Sequence, residues 1–284
     1  MKPAPFDFVA PDSLQGVLLA LAKFGGDARV LAGGQSLVPL MNLRLVRPEV
    51  LVSINRCAEL DYFQVQDGHL VLGARVRQAM AEEASETQAN CPLLAAVLPH
   101  VGAQANRNRG TVCGSLAHAD PLAELPALAL ALDAEMLVAS AQSRRRVAAE
   151  DFFLGELSTA LHEGELLEAV AFARQDPSER HAFLELGNRR HGFAVAGVAV
   201  RLRLSEGRCD LARIAMIGAG PMARRIKEAE AALLDTPVDE AAIRSSISAV
   251  AHAVEPPSDV HADAEYRRHV LGVLLDRALR QAVA

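Results

Sequence analysis

Two short turns built from glycine and hydroxyl residues have the composition of a phosphate-binding site. The first is Leu31-Ala32-Gly33-Gly34-Gln35-Ser36-Leu37, and the second is Arg109-Gly110-Thr111-Val112-Cys113-Gly114-Ser115. Each turn follows an apolar stretch of the chain. Glycine lets the backbone approach an anion closely, so that several N–H groups can point at it. Two such turns predict one diphosphate that is held from both sides.

One turn alone would bind a diphosphate weakly. A helix N-terminus stabilises a nearby anion by about 0.3–1 kcal/mol, whereas each hydrogen bond to a charged group contributes roughly 1.5–3 kcal/mol. The first turn by itself also fits the start of a helix that needs small residues. The prediction of a diphosphate site therefore depends on the two turns converging.

Side chains that could bind a metal or catalyse hydrolysis lack the partners that such chemistry needs. His118 and Asp120 lie close to Glu124, but no third ligand stands at metal-binding spacing. The cysteines are too far apart for a zinc or iron–sulfur site, and they are Cys57, Cys91, Cys113 and Cys209. We therefore predict no catalytic side chain and no metal in this chain, and we expect any metal centre on another polypeptide.

A third glycine motif, Gly218-Ala219-Gly220-Pro221-Met222-Ala223, matches the G-x-G-x-x-A pattern of dinucleotide-binding loops. Pro221 removes an N–H donor from that loop, and the residues that follow look helical rather than alternating between strands and helices. We therefore interpret this motif as a tight connection from a strand to a helix.

Residues near the turns leave two interpretations open. Arg107 and Arg109 flank Asn108, and they either secure the second turn, face a partner protein, or form a solvated helix end. Phe193 follows Gly192 and could cover a flat cofactor ring, although the sequence alone favours packing in the core.

Composition indicates a globular protein that is long enough for two domains. The chain has 284 residues, of which 51% are hydrophobic and 23% charged. A net charge of −6 argues against a nucleic-acid partner. The longest apolar run, residues 125–132, is too short to span a membrane, and the first residues lack a secretory pattern. We expect a cytoplasmic protein with reduced thiols.

The first half of the chain reads as α/β. Asp12 or Ser13 caps a helix that ends at Gly25-Gly26, and strands at 29–31 and 50–54 enclose a possible helix at 36–45. Asp67-Gly68 predicts a hairpin. The remaining elements predicted for this half are helices at 91–105 and 120–132 and strands at 135–139 and 166–172.

The second half reads as a strand-rich piece closed by helices. Asp176-Pro177-Ser178 is the best candidate for a linker. Beyond it we predict strands at 182–186, 194–204 and 209–217, the last two joined at Glu206-Gly207, and helices at 238–254 and 264–283.

With these motifs in view, the chain resembles the medium, FAD-binding subunits of the molybdenum hydroxylases, the xanthine dehydrogenase and carbon monoxide dehydrogenase family. The two turns look like that family's diphosphate loops, and the likeness covers nearly the whole chain. Further matches are the segments 151–155, 164–167 and 193–200.

The resemblance implies an α+β fold with two domains. Residues 1–177 would form an FAD-binding domain of the vanillyl-alcohol-oxidase or PCMH type, made of two α/β subdomains at about 1–55 and 56–177. Residues 178–284 would form the C-terminal domain, an antiparallel sheet packed with helices.

The resemblance also implies which residues bind FAD. Backbone amides of the two turns would hold the diphosphate, Glu124 or nearby Asp120 would reach the ribose, and Leu167, Val101 and Phe193 would contact the isoalloxazine. Glu185 stands where many relatives carry a lysine near the flavin. The expected set is Leu31, Ala32, Gly33, Gly34, Gln35, Ser36, Leu37, Val101, Thr111, Val112, Cys113, Gly114, Ser115, Asp120, Glu124, Leu167, Glu185 and Phe193.

Three departures from the family pattern, at Cys113, Ser115 and Glu185, bear on the flavin. The second loop usually reads Gly-Gly-Asn where this chain has Cys113-Gly114-Ser115. An acid at Glu185 in place of a cation would disfavour negative charge on a reduced flavin, which affects its redox potential and any NAD site.

The function implied is electron transfer within a heterotrimer. A small subunit with two [2Fe–2S] clusters would deliver electrons to FAD in this chain, and a large subunit would hold the molybdenum cofactor and hydroxylate the substrate. A dimer of heterotrimers is implied as well. The acceptor is left open among oxygen, a quinone, a cytochrome and NAD. The alternatives are a self-sufficient FAD oxidase or reductase and a nucleotide-binding scaffold without redox chemistry.

Overall fold

The computed structural model describes residues 2–189 and 192–284. Its first unit is a parallel sheet of three strands in the order β1-β3-β2. Its elements are β1 (Asp7–Val9), α1 (Leu14–Phe24), β2 (Ala28–Leu31), α2 (Leu37–Asn42) and β3 (Val50–Ser53). Ser13 caps α1, as predicted, because its hydroxyl oxygen accepts a hydrogen bond from the Gly16 amide at 3.2 Å. The first glycine turn joins β2 to α2.

The second unit is an antiparallel sheet of five strands in the order β4-β5-β10-β6-β7, with helices packed on it. The five strands of this sheet are β4 (Phe63–Gln66), β5 (His69–Gly73), β6 (Glu135–Ala139), β7 (Arg144–Ala148) and β10 (Leu166–Ala173), and a separate small hairpin is formed by β8 (Phe153–Gly155) and β9 (Ser158–Thr159). Its helices are α3 (Gln78–Glu83), α4 (Ser85–Asn90), α5 (Pro92–Val97), α6 (Gln104–Arg107), α7 (Val112–His118), α8 (Glu124–Ala131) and α9 (Ala149–Phe152). The second glycine turn leads directly into α7.

The third unit is an antiparallel sheet in the order β11-β12-β13-β14, closed by helices. Its elements are β11 (Glu179–Gly187), β12 (Ala194–Ser205), β13 (Arg208–Ile217), β14 (Arg224–Arg225), α10 (Lys227–Ala231), α11 (Glu240–Ala253) and α12 (Ala264–Val283). The long strands and the last two helices agree with the predicted ones. Among the described residues, no helix is both long and apolar enough to cross a membrane.

Helix α8 connects the second and third units. All eight of its residues are buried, and it packs against α5, α7, β12 and β13. A helix that is apolar on every side belongs in a core. Just beyond it, the Asp133 carboxylate accepts hydrogen bonds from Arg201 at 3.4 Å, Arg213 at 2.9 Å and Arg225 at 3.2 Å. Apolar packing and ion pairs therefore both hold the C-terminal sheet against the rest of the chain.

Three predicted elements differ from the observed ones. The helix expected at 91–105 ends at Val97, and Pro99 lies in a 3₁₀ turn, because proline has no N–H for the helical ladder. The helix expected from residue 120 begins at Glu124, since Asp120 accepts from the Leu122 amide at 2.8 Å in a turn. The motif at 218–223 leads into the short strand β14, so a direct connection to a helix is wrong.

Candidate functional site

A cleft of about 1090 Å³ lies where the first and second units meet, and both glycine turns line it. Pockets for drug-sized ligands have volumes of roughly 300–1,000 Å³, so this one has room for a dinucleotide. Its walls also include residues from the ends of α1, α7 and β10 and from the hairpin tip between β11 and β12.

The two turns touch each other through their backbones. A Cβ atom added at Gly33 would lie 2.3 Å from the carbonyl oxygen of Arg109 and 2.7 Å from the Cα atom of Gly110. Only glycine permits this approach, because both of those atoms belong to the backbone and cannot rotate away. The convergence on which the diphosphate prediction depends is therefore present.

The first turn offers a row of backbone donors. The amides of residues 33–37 donate to no other group in the described part of the chain. In the second turn, the hydroxyl of Thr111 accepts from the Gly114 amide at 3.0 Å and so fixes the start of α7. Successive unpaired amides in a glycine turn form a concave site for an anion.

The acidic residues predicted for the ribose lie at one side of the cleft. Glu124 lines the cleft, is 7% exposed, and is the first residue of α8. Burial, together with the nearby charges of Glu185 and Asp120, raises the pKa of Glu124 to about 8. Burial also lowers the pKa of His118. Both groups are therefore neutral over part of the physiological pH range, and the Glu124 carboxyl group can then donate or accept a hydrogen bond.

Apolar side chains line another part of the cleft. Val101 and Leu167 contribute to its wall, and Phe193 lies at its rim with 70% of its surface exposed. The expectation of core packing for Phe193 is therefore wrong. An exposed aromatic ring at the mouth of a cleft is suited to covering a flat ligand.

Three of the predicted residues lie outside the cleft lining. The side chain of Val112, within the second turn, is fully buried, and the Leu31 carbonyl accepts a hydrogen bond from Asn55 at 3.3 Å. One carboxylate oxygen of Glu185 is 3.1 Å from Nδ1 of His100, and the other is buried without a hydrogen-bond partner among the described residues. The other predicted residues all line the cleft.

Arg107 is buried, so the interpretation as a solvated helix end is wrong for this residue, whereas Arg109 is exposed. Its guanidinium pairs with Glu82 at 2.6 Å and donates to the carbonyl oxygens of Gly102 at 2.8 Å and Val101 at 3.3 Å. These bonds fix the segment that carries Val101 into the cleft. Arg107 therefore supports the site from behind.

Sequence reasoning missed two residues that hold the turns. Asn55 donates to the carbonyl oxygen of Ala32 at 2.9 Å, and Arg77 donates to that of Arg109. A polar residue shortly after a buried strand, as Asn55 is two positions after β3, was the available signal. The sequence around Arg77 gave no such signal, because the carbonyl group of Arg109 that it contacts is distant in the sequence and comes close only in the folded chain.

The described residues contain no group of three or more side chains that could hold a metal ion. The four thiols are buried and unpaired with one another. Burial raises the pKa of Cys113 to about 12, so this thiol, although it lies in the second turn, is a poor nucleophile and ligand at neutral pH.

Comparisons with known proteins agree with this architecture. Residues 4–173 match the family model described as the FAD binding domain in molybdopterin dehydrogenase, and residues 181–282 match the CO dehydrogenase flavoprotein C-terminal domain. The chain is 37% identical to the 6-hydroxypseudooxynicotine dehydrogenase complex subunit alpha of Paenarthrobacter nicotinovorans, over 100% of this chain and 96% of that protein. It is 33% identical to the carbon monoxide dehydrogenase medium chain of Hydrogenophaga pseudoflava, over 100% and 99% of the two chains.

Solved structures show the same fold. A chain of carbon monoxide dehydrogenase from Hydrogenophaga pseudoflava, in a form that lacks the Mo-pyranopterin moiety, superimposes with a TM-score of 0.97 at 35% identity over 100% and 99% of the two chains. A chain of quinoline 2-oxidoreductase from Pseudomonas putida 86 gives 0.94 at 36% identity over 99% and 98%.

An FAD-binding domain followed by this C-terminal sheet defines an oxidoreductase flavoprotein subunit. The predicted fold class and the predicted cofactor, FAD, are confirmed. The chain belongs to the family of FAD-binding medium subunits of the molybdenum hydroxylases.

Proposed function

We propose that this chain is the electron-transfer subunit of a heterotrimeric molybdenum hydroxylase. It would accept electrons from [2Fe–2S] clusters of a small subunit and pass them to an external acceptor, while a large subunit with the molybdenum cofactor oxidises the organic substrate. Relatives named as a medium chain and as a subunit of a dehydrogenase complex support this arrangement.

The observation that carries the proposal is the backbone contact between the two glycine turns at Gly33 and Arg109. The turns would hold the FAD diphosphate from two sides, the first with the amides of residues 33–37 and the second with those of Thr111 and Cys113, which donate to no other group among the described residues. Each hydrogen bond from a backbone amide to a charged oxygen contributes roughly 1.5–3 kcal/mol, so several together support tight binding.

Other side chains of the cleft would orient the rest of the cofactor. We assign Glu124, with Asp120 nearby, to the ribose hydroxyl groups, and Val101 and Leu167 to the neighbourhood of the ring. Phe193 would cover one face of the ring and exclude water from it. FAD, when bound, supplies the capacity to exchange electrons singly or in pairs.

We also assign a role to Glu185, which contacts the residue next to Val101. Its carboxylate contacts His100, the residue before Val101, and lies near enough to Glu124 to raise the pKa of that carboxyl group. A negative charge here would disfavour the gain of negative charge in the cleft. We therefore assign it a role in tuning the cofactor without direct contact.

The isolated chain would not hydroxylate a substrate. The thiols of the described residues are buried, which disfavours the thiolate form that binds iron, and this is consistent with iron–sulfur clusters on another polypeptide. We also propose assembly as a dimer of heterotrimers and a cytoplasmic location.

Purification of the complex from its native cell tests the proposal. We expect copurification with two unrelated polypeptides, and flavin, iron and molybdenum in the same fraction. Light scattering should give the mass of two heterotrimers. Substrate oxidation by the purified chain with FAD alone would contradict the division of labour, and a single polypeptide without iron or molybdenum would contradict the heterotrimer.

A further inference from the structure

Asn55 and Arg77 form a side-chain connection between the two glycine turns. The Nδ2 atom of Asn55 donates to the carbonyl oxygen of Ala32 at 2.9 Å, and its Oδ1 atom accepts from Nη2 of Arg77 at 2.5 Å. The Nη1 atom of Arg77 donates to the carbonyl oxygen of Arg109. A continuous series of hydrogen bonds therefore runs from the first turn to the second.

Each of the two residues is also attached to one turn through the backbone. The Ile54 amide donates to the Leu31 carbonyl at 3.1 Å, which places Asn55 beside the first turn. The Gln78 amide donates to Gly110 at 2.9 Å, and the Val112 amide donates to Val76 at 3.2 Å, so residues 76–78 pair with the second turn. The hydrogen bond between Asn55 and Arg77 thus joins two backbone segments, each of which is hydrogen-bonded to one of the turns.

Arg77 also brings positive charge to the place where the turns meet. It is half-buried, and burial together with the charges of Arg109 and Arg75 lowers the pKa of Arg77. An arginine nevertheless stays charged in proteins. A cation held behind unpaired amides strengthens the attraction for an anion such as a diphosphate.

We propose that Asn55 and Arg77 are positioning residues that fix the spacing of the two turns and thereby set the affinity for the FAD diphosphate. This inference rests on the proposed diphosphate site. It assigns the affinity to two side chains that need not touch the cofactor, in addition to the glycine amides.

Arg75 provides a matched control on the same segment. It is also half-buried and charged, but it donates to the carbonyl oxygen of Cys57 at 2.9 Å and pairs with Asp61 at 3.5 Å. Arg75→Met therefore removes an equivalent charge and comparable bonds without breaking the connection between the turns. Arg77→Lys keeps the charge of Arg77 but cannot bridge two acceptors with a planar fork.

The first experiment measures amide hydrogen exchange by mass spectrometry on the full chain without FAD. In Arg77→Met we expect exchange of the hydrogen-bonded amides that join each turn to its neighbouring segment, those of Ile54, Gln78 and Val112, to become about tenfold faster or more, whereas Arg75→Met leaves all three unchanged. Asn55→Asp loses the donor to Ala32 but keeps an acceptor for Arg77, so exchange should rise at the Ile54 amide alone. Equal exchange in Arg77→Met and Arg75→Met would overturn the inference.

The second experiment titrates the same variants with FAD and follows quenching of the flavin fluorescence. We expect the Kd to rise about 30-fold or more in Arg77→Met and less than about threefold in Arg75→Met, with Arg77→Lys between them. Full recovery by Arg77→Lys would show that charge alone matters and would overturn the positioning role. If the wild-type chain binds no FAD while the exchange pattern holds, the diphosphate assignment fails and the connection between the turns stands.

Discussion

Replacement of Gly33 by alanine tests the contact on which FAD binding depends. The added Cβ atom would lie 2.3 Å from the carbonyl oxygen of Arg109 and 2.7 Å from the Cα atom of Gly110. An ordinary carbon–oxygen contact is about 3.3 Å or longer. The two turns must therefore separate by about 1 Å, and because both neighbours are backbone atoms, no change of rotamer can relieve the clash.

The size of the effect follows from this separation. A hydrogen bond of about 2.9 Å that lengthens by about 1 Å is lost. The loss of one or two bonds to the diphosphate, each worth roughly 1.5–3 kcal/mol, costs about 3 kcal/mol. Since 1.4 kcal/mol corresponds to a factor of ten, we expect the Kd for FAD to rise roughly 100-fold in Gly33→Ala.

Gly155→Ala is the matched control. Gly155 lies on β8, has no atom within 4 Å of an added Cβ, and does not need a left-handed backbone. Isothermal titration of both variants with FAD measures the difference, and circular dichroism shows that both are folded. If Gly33→Ala binds FAD as tightly as Gly155→Ala does, to within about threefold, the two turns do not grip the diphosphate together and the reasoning fails.

Three further predictions concern Glu124, Phe193 and Cys113. The pKa of Glu124 is raised from 4.5 to about 8, so the contribution of this group to the free energy of unfolding falls as the pH rises from about 4.5 to about 8, by up to roughly 1.4 kcal/mol per pH unit. In urea unfolding of the FAD-free chain, Glu124→Gln should remove that pH dependence. The same pH dependence in the variant and the wild type would contradict the raised pKa. Phe193→Ala should change the free energy of unfolding of the FAD-free chain by less than about 0.5 kcal/mol, because the ring is 70% exposed. The same variant should increase the access of iodide to bound flavin, measured by fluorescence quenching. Unchanged quenching would show that the ring does not cover the flavin. Iodoacetamide at pH 8 should leave Cys113 unlabelled in the native chain and label it in urea, because burial raises its pKa to about 12; rapid native labelling would refute that environment.

Local patterns predicted most of the elements that hold the site. Ser13 with its apolar periodicity gave α1, Asp67-Gly68 gave the β4–β5 hairpin, and the alternation after residue 178 gave the C-terminal strands. Each of these signals is local, since it involves residues only a few positions apart in the sequence. The strand Asp7–Val9 was missed because three residues carry no periodicity, and its pairing with β3 joins distant parts of the chain.

The composition of the turns was readable from the sequence, but their supports were not. Gly33 and Gly110 indicate backbone that can adopt unusual conformations, but the contact between them forms only when the sheets assemble. Asn55 and Arg77 have ordinary surface-type side chains, and only the fold reveals that they connect the turns. Phe193 looked like a core residue because an aromatic side chain beside a strand is most often buried.

The crystal structure of the chain with FAD bound tests the central claim most directly. We predict that the diphosphate lies between residues 32–36 and 111–115, within hydrogen-bond distance of amides from both turns, and that the ring lies beside Leu167 under Phe193. A diphosphate that contacts only one turn, or FAD bound outside the cleft, would contradict the account.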